Sequence, residues 1–397
     1  MRILHVCSWF QPQLGYSEYH LPIAQQRLGH QVAVVTSDRY YPFPDYQATV
    51  QPLLGKRVVG SGTREEHGLL TYRLPVAFEY RHHLWLCGVD QVIARFRPEI
   101  VQVYQSFTLP TLQCALAKPK HGFGLVLRSS MEKEVFFPQT RSRRLYYWFY
   151  AAIAGPVLRR RVDSFTAVGP GARDIVRQVF ALPAEQVEVV PLGADSERFR
   201  FDPEARREIR QEIGIAGDMV LAIYAGKLIP DKDVHVLVTA LGEVQTRRSL
   251  GLLLLGDGAP DYKVKLRKIA QAAHKPVFFH SPVSNSDLSR FFSAADFGVW
   301  PSESSNAAVE AALVGLPLVV SSSDATKHYI EAGNGLSFSR GDVLGLALCL
   351  ERLTDAPELR QIMGERGRDH MMQRLSWKVI AQHSLDSYRK ILDAGPE

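Results

Sequence analysis

Short, nearly continuous apolar runs recur along this chain, with amphipathic stretches between them. Residues 2–6, 32–36, 98–104, 220–225, 297–300 and 318–320 are such runs. Their length, and the Gly, Pro and polar clusters that bound them, predict strands buried on both faces. Residues 18–28, closed by Gly29-His30, together with 203–213, 307–314 and 377–392, predict helices. This alternation predicts an α/β protein with parallel sheets, whose ligands lie off the carboxyl ends of the strands. Residues 38–71 are polar and carry Pro42, Pro44 and Pro52, which suggests a long flexible loop over the ligand cleft.

The pattern is densest in chemistry at 291–321. The run Phe297 to Trp300 ends at Pro301, a polar turn covers 302–306, and a helix of small residues runs to Val314 before Gly315 and Pro317 stop it. Ser and Asn are placed to cap that helix, and its first turns carry alanine. Free N–H groups and the positive end of the helix dipole would point out of the turn, and small side chains let an anion come close. Glu310 lies about one turn inside, within reach of a sugar hydroxyl next to a bound phosphate. An ordinary capped helix is the plain alternative. A second feature follows the run 220–225: Lys227 and Lys232 stand five residues apart on one loop. Two cations so placed can neutralise a diphosphate, although surface lysines are more often simply solvated.

Composition changes the picture little. The 397 residues allow two domains, and 46% hydrophobic with 22% charged residues is ordinary for a globular protein. Cys7, Cys87, Cys114 and Cys349 have no metal-ligand spacing and are read as buried reduced thiols, which suits a cytoplasmic protein. No signal peptide and no transmembrane run is expected. Charge adds more. Residues 1–195 hold 22 Lys and Arg against 15 Asp and Glu, a net +7, whereas 196–397 hold 25 against 26. An anionic partner is therefore expected on the first half.

Residues 136–161 concentrate that charge. Arg141, Arg143, Arg144, Arg159, Arg160 and Arg161 flank the aromatic cluster Tyr146 to Tyr150, with no acidic residue. The segment fits a core helix between solvated arginines. It also fits an amphipathic segment lying on an anionic membrane near a lipid-linked acceptor. A single-stranded nucleic-acid platform would use the same residue types, but no recognition-fold motif accompanies them and no nucleic-acid partner is expected.

Together these motifs resemble the retaining glycosyltransferases of family four, glycosyl transferases group 1, which have the GT-B fold. The family signature is Pro-Ser, two glutamates with seven residues between them, then Ala-x-x-x-Gly-x-Pro. Pro301-Ser302 and Glu310 through Pro317 match it. Ser302 stands in the place of the first glutamate, and Glu303 is one residue too close. Gly226-Lys227-Leu228 followed by Lys232-Asp233 resembles the family's diphosphate loop, and Gly256-Asp257-Gly258 resembles a turn that lets a nucleotide approach. Ser281 and Val283 resemble a segment whose backbone reads the base, and Asn334-Gly335-Leu336 a turn near the base and ribose.

In the first half, Gly15-Tyr16 replaces a glycine pair beside the transferred sugar. Gln102 and Tyr104 occupy positions where histidines often stand, and Arg128 or Glu132 fills the place of a donor-contacting histidine. The stretch 187–195 resembles the end of the family's first domain.

The resemblance implies two doubly wound Rossmann-like domains facing across a cleft: 1–195 for the acceptor and 196–374 for the nucleotide-sugar, with 375–397 a helix crossing back. It implies Lys227 and Lys232 on the diphosphate of a UDP- or GDP-type sugar, amides around Ser304, Ser305, Asn306 and Ala307 on phosphate oxygens, and Glu310 on the ribose. Glu303 is a further catalytic candidate. It implies a retaining transfer to a glycan or lipid-linked acceptor, without cofactor or metal, at the inner face of the cytoplasmic membrane. Two alternatives stay open: a catalytically degraded nucleotide-sugar-binding protein, and another GT-B enzyme such as an epimerase or phosphorylase.

Overall fold

A computed structural model describes residues 1–43, 46–80, 83–130, 141–215, 217–302, 305–323 and 326–395. The chain divides into two compact units: Met1–Gly193 with Trp377–Glu397, and Ala194–Ser376.

The first unit is built on strands β1 (Arg2–Val6), β2 (Gln31–Ser37), β3 (Gly62–Glu66), β4 (Leu69–Leu74), β7 (Ile100–Tyr104), β8 (Gly124–Ser129), β9 (Ser164–Ala167) and β10 (Val187–Val189), with a separate hairpin of β5 (Val76–Tyr80) and β6 (His83–Leu86). The sheet order is β10-β9-β8-β7-β1-β2-β4-β3. Every neighbouring pair is parallel except β3 with β4. Strand alternation sends Leu4, Val6, Val101, Val103, Leu125 and Leu127 into one core and Ile3, Val32, Val34, Ile100, Tyr104 and Val126 into another. The second core is completed by Leu385 and Tyr388 of the C-terminal helix Trp377–Ala394. That helix therefore belongs to the first unit because its apolar face covers that unit's sheet.

Residues 38–71 are not one uninterrupted loop: among the described residues they hold the short helices Tyr46–Thr49 and Gln51–Leu54, then β3 and the first half of β4, which extend the sheet at its edge. β3 reads GTREE and is exposed along most of its length, so it carries no apolar signal. It is held by Arg73 on β4, a buried guanidinium that meets both carboxylate oxygens of Glu66 at 2.7 Å and donates to the carbonyls of Ser37 and Phe10 at 3.0 Å.

The second unit has six parallel strands: β11 (Val220–Ala225), β12 (Leu250–Leu255), β13 (Val277–His280), β14 (Phe297–Trp300), β15 (Leu318–Ser321) and β16 (Gly335–Phe338). Their order is β13-β12-β11-β14-β15-β16. Strand order reverses between β1 and β7 in the first unit and between β11 and β14 in the second, and such switch points leave a crevice at the strands' carboxyl ends. The cysteines are all free, but Cys87 is exposed and Cys349 half-buried; only Cys7 and Cys114 have the interior position expected of all four. Among the described residues no helix is long and apolar enough to cross a membrane.

Candidate active site

The second unit's switch point begins where β11, apolar throughout, runs out at Ala225. Gly226 and Gly256 end neighbouring strands, and both have φ of +156°. A Cβ on Gly256 would lie 1.9 Å from the Gly226 carbonyl oxygen. The two strand ends are in backbone contact, sealed by Gly226 N–H to Leu255 O at 3.0 Å and Leu228 N–H to Asp257 O at 2.8 Å. Glycine at 256 is thus required by the packing of one loop on another, whereas the resemblance assigned it to the approach of a nucleotide.

This stack fixes the loop that carries the lysines. The Tyr224 hydroxyl donates to the Lys227 carbonyl at 2.9 Å, and the Lys227 side chain is exposed. Lys232 closes a short 3-10 turn, Pro230–Lys232. Asp233 follows in a left-handed conformation with φ 51°, an uncommon backbone for a residue other than glycine. Its carboxylate accepts from Arg340 Nε at 2.6 Å, and Arg340 also donates to the Asp231 carbonyl at 3.2 Å. Arg340 thereby clamps the turn that presents Lys232. Among the described residues neither Lys227 nor Lys232 forms an ion pair, so both ammonium groups are available to an anion.

β14 supplies the other side. Trp300 Nε1 donates to the Ala225 carbonyl at 3.2 Å, tying the ends of β14 and β11 together. Ser302 is buried and its carbonyl accepts from Ser321 Oγ at 2.7 Å, so the residue in the first-glutamate place has no open position. Glu303 and Ser304 lie outside the described residues. Ser305 stands at the N-cap of the helix Asn306–Val314 in an extended conformation, but its side chain makes no capping bond, contrary to expectation. Its carbonyl instead accepts from Ala308 N–H at 3.0 Å. The first-turn amides, including those of Asn306 and Ala307, have no partner inside the helix.

Glu310 is half-buried on that helix. Asn285 Nδ2 donates to its Oε1 at 3.3 Å, and Arg198 donates to Asn285 Oδ1 at 2.8 Å. Burial pushes the Glu310 carboxyl up to about 7, against the pull of the Asn285 bond and the Arg198 charge, with Asp195 adding to the rise. A carboxyl perturbed in this way, at the mouth of a sheet, marks a candidate functional group. Ser281 is exposed just after β13, and its carbonyl is bonded to His280 Nδ1 at 2.7 Å; Val283 is half-buried two residues on. Asn334 is buried, donates to the Tyr329 carbonyl at 2.7 Å and packs against Gly367, which makes it part of the interior.

The first unit differs. Gly15 takes the left-handed conformation, φ 67°, that closes the turn Pro12–Leu14, and Tyr16 is exposed at the N-cap of the helix Ser17–Arg27. Tyr104 is buried, with its hydroxyl 2.9 Å from His5 Nδ1. His5 Nε2 is 2.8 Å from Gln25 Oε1, Gln25 Nε2 donates to the Tyr388 hydroxyl at 3.3 Å, and that hydroxyl donates to Gln102. Burial lowers the His5 pKa to about 4, so the imidazole is neutral and accepts the Tyr104 proton at Nδ1.

Arg128 is also buried and donates to the Pro191 carbonyl at 3.0 Å. The resemblance places Tyr104 and Arg128 on the acceptor or sugar side. Both sit instead within a parallel sheet covered on both faces, and neither reaches the surface. Glu132 lies outside the described residues. Arg198, Asn285 and Arg340 were missed. Arg198 and Asn285 meet across 87 positions of sequence, which no local pattern signals.

Two family models match: glycosyl transferase 4-like domain over residues 19–193, and glycosyl transferases group 1 over residues 205–370. A GDP-mannose-dependent alpha-(1-6)-phosphatidylinositol monomannoside mannosyltransferase of Mycobacterium tuberculosis is 28% identical over 260 residues, covering 61% of this chain and 66% of the relative. A D-inositol 3-phosphate glycosyltransferase of an Arthrobacter species is 29% identical, covering 60% of each chain. The matched region thus spans less than two thirds of either relative. Anabaena Alr3699/HepE in complex with UDP shares the fold over 98% of this chain and 100% of its own, with a TM-score of 0.73 at 17% identity. With both halves matched in order and the fold shared along nearly the whole length, the chain belongs to the group 1 glycosyltransferases of family four and has the GT-B fold.

Proposed function

We propose that this protein transfers a sugar from a nucleotide diphosphate-sugar to a glycan or lipid-linked acceptor, with retention of anomeric configuration and without a metal, in polysaccharide, lipopolysaccharide or glycolipid synthesis. The observation that carries the proposal is the pair of cations Lys227 and Lys232, unpaired among the described residues, on a loop clamped at the strand switch point that also holds Glu310. The ammonium groups and the amide-lined mouth of the helix Asn306–Val314 stabilise charge on the departing diphosphate, which is the largest catalytic contribution in such a site. The departing phosphate oxygen accepts the acceptor's proton. The lysines supply positive charge that a metal would otherwise bring. The first unit, which carries the chain's net positive charge, takes the acceptor.

The relatives name GDP-mannose and a structural neighbour holds UDP, so the decisive experiment is a calorimetric titration with UDP, GDP and ADP. It is followed by turnover of the matching nucleotide-sugar in chelator, with the product's anomeric configuration read by NMR. Tight binding of one diphosphate with slow hydrolysis or transfer supports the proposal. Binding without any turnover would leave a degraded nucleotide-sugar binder.

We further propose that the first unit rests on an anionic membrane surface. The helix Arg141–Arg161 turns Tyr150, Ala154 and Leu158 into the core, yet leaves Trp148 63% and Ile153 69% exposed, with Leu145 and Phe149 also outside. The adjoining hairpin adds exposed Phe78, Tyr80 and Trp85 on the face that carries His83, whose ring lies 3.9 Å from that of Tyr146. An apolar face bordered by Arg159, Arg160 and Arg161 suits insertion at a headgroup boundary. A Trp148→Ser/Ile153→Ser variant should lose sedimentation with phosphatidylglycerol vesicles while keeping nucleotide affinity. Undiminished sedimentation would remove the proposal.

A further inference from the structure

Arginine carries only donors. The Asn285 atom 2.8 Å from Arg198 must therefore be its oxygen, and the amide nitrogen is left to face Glu310 at 3.3 Å. Arg198 thus decides which way the amide points, an assignment that in isolation would be ambiguous. It also decides what Glu310 can do. With an N–H aimed at Oε1, that oxygen is an acceptor, and Oε2 has no partner among the described residues. We propose that Arg198 and Asn285 are positioning residues that hold Glu310 as an oriented carboxylate, with its second oxygen turned to the hydroxyls of the donor's ribose. The proposal rests on the donor-site reading above.

The choice of an amide over a cation has a consequence. A lysine or arginine in direct contact would hold the carboxyl ionised at any physiological pH and compete with the ligand for its lone pairs. Asn285 orients the group without neutralising it, so burial still dominates and the carboxyl titrates near 7.

Among the described residues the neighbours that face Glu310 are few. Asp195 and Arg198 come from the segment leading into the helix Pro203–Glu212. The helix Asn285–Ala294 brings Asn285, while its Asp287 is bonded to Ser284 and its Arg290 to Glu208. The helix Pro357–Leu375 brings Arg368, already bound to the carbonyls of Leu313 and Phe199. β14 and β15 contribute no ionisable side chain.

The ionised carboxylate can accept from two hydroxyls, and the protonated one cannot do so equally. Nucleotide affinity should therefore be full above the carboxyl's pKa and decline as pH falls through it. For a group titrating near 7 the loss between pH 8 and pH 6 reaches about tenfold.

The test is calorimetric titration of the full chain with the preferred nucleoside diphosphate, chosen from UDP, GDP and ADP, between pH 5.5 and 9. The terminal phosphate also titrates at the acid end of this range, so each variant is read as its difference from the wild type. Asn285→Leu removes the donor that both orients and favours the carboxylate, and should move the midpoint upward and leave affinity below the wild-type value even at pH 9. Asn285→Asp puts a second carboxylate beside Glu310 and should move it further. Arg198→Ala should move it in the same direction by less, and serves if the Asn285 variants fail to fold. Glu310→Gln should bind more weakly with the carboxyl's contribution flattened out of the profile. If Glu310→Gln flattens the profile but Asn285→Leu keeps both the wild-type affinity and the wild-type midpoint, the positioning role is overturned and the donor site stands. If Glu310→Gln keeps the wild-type affinity and profile, the ribose assignment falls and this inference with it.

Discussion

The two sheets share a doubly wound design but place their polar side chains in opposite regions. In the first unit they enter the sheet: His5, Gln102 and Tyr104 sit on β1 and β7 at the switch point and are joined by Gln25 and Tyr388 into one buried relay. In the second unit the switch-point strands, β11 and β14, hold no polar side-chain group except the Tyr224 hydroxyl and the Trp300 indole N–H, and the candidate chemistry stands in the loops at their ends. Polar groups that satisfy one another in an interior fix a packing arrangement and have little left for a ligand. Among the described residues Lys227 and Lys232 have no such partner, and under the proposed function a diphosphate supplies it.

This contrast can be broken by substitution, and the largest effect is expected at the loop. Lys232→Ala should reduce kcat/KM by about 10²-fold to 10³-fold, the usual cost of removing one charge-stabilising donor, with the melting temperature nearly unchanged. Equal turnover in the folded variant would remove its role. The glycine contact beneath the loop should behave in the opposite way. Gly256→Ala forces a Cβ into the Gly226 carbonyl and should destabilise by about 3 kcal/mol, measured by denaturant titration; a wild-type midpoint would show that the strand ends are free to part.

Glu310 lies between these extremes, since its site opposes its charge. Its folded pKa stands above the unfolded value, so ionisation destabilises the free protein: stability falls as pH rises from about 4.5 to about 7, and the penalty is complete above that. Glu310→Gln should therefore stabilise the ligand-free protein at pH 8 by on the order of 1–3 kcal/mol, with little gain at pH 4.5. Thermal melts at the two pH values check the sign, and an equal shift at both would contradict it.

The smallest effect belongs to the buried relay. Tyr104→Phe leaves His5 Nδ1 without its donor and should cost about 1–2 kcal/mol, with turnover per folded molecule unchanged. A loss of turnover would return Tyr104 to the acceptor side.

What the sequence made legible follows the same division. The runs Val220–Ala225 and Phe297–Trp300 are the observed strands residue for residue, because a strand buried on both faces is apolar at every position. The lysine loop was legible because its residues are contiguous. An exposed edge strand such as GTREE has no pattern to offer, and the segment containing it was misread as a loop. Tyr104 and Arg128 were misplaced for a different reason: a residue at the end of a strand can face the crevice or the core, and both face the core. The Arg198–Asn285–Glu310 chain joins three separate segments, so only coordinates bring it together.

The most direct measurement compares the affinity of the preferred nucleoside diphosphate with that of the nucleoside alone, in the wild type and in a folded Lys227→Ala/Lys232→Ala variant. A pyrophosphate clamp predicts a strong wild-type preference for the diphosphate, about 10²-fold or more, that nearly vanishes in the variant. A variant that keeps the preference would contradict it.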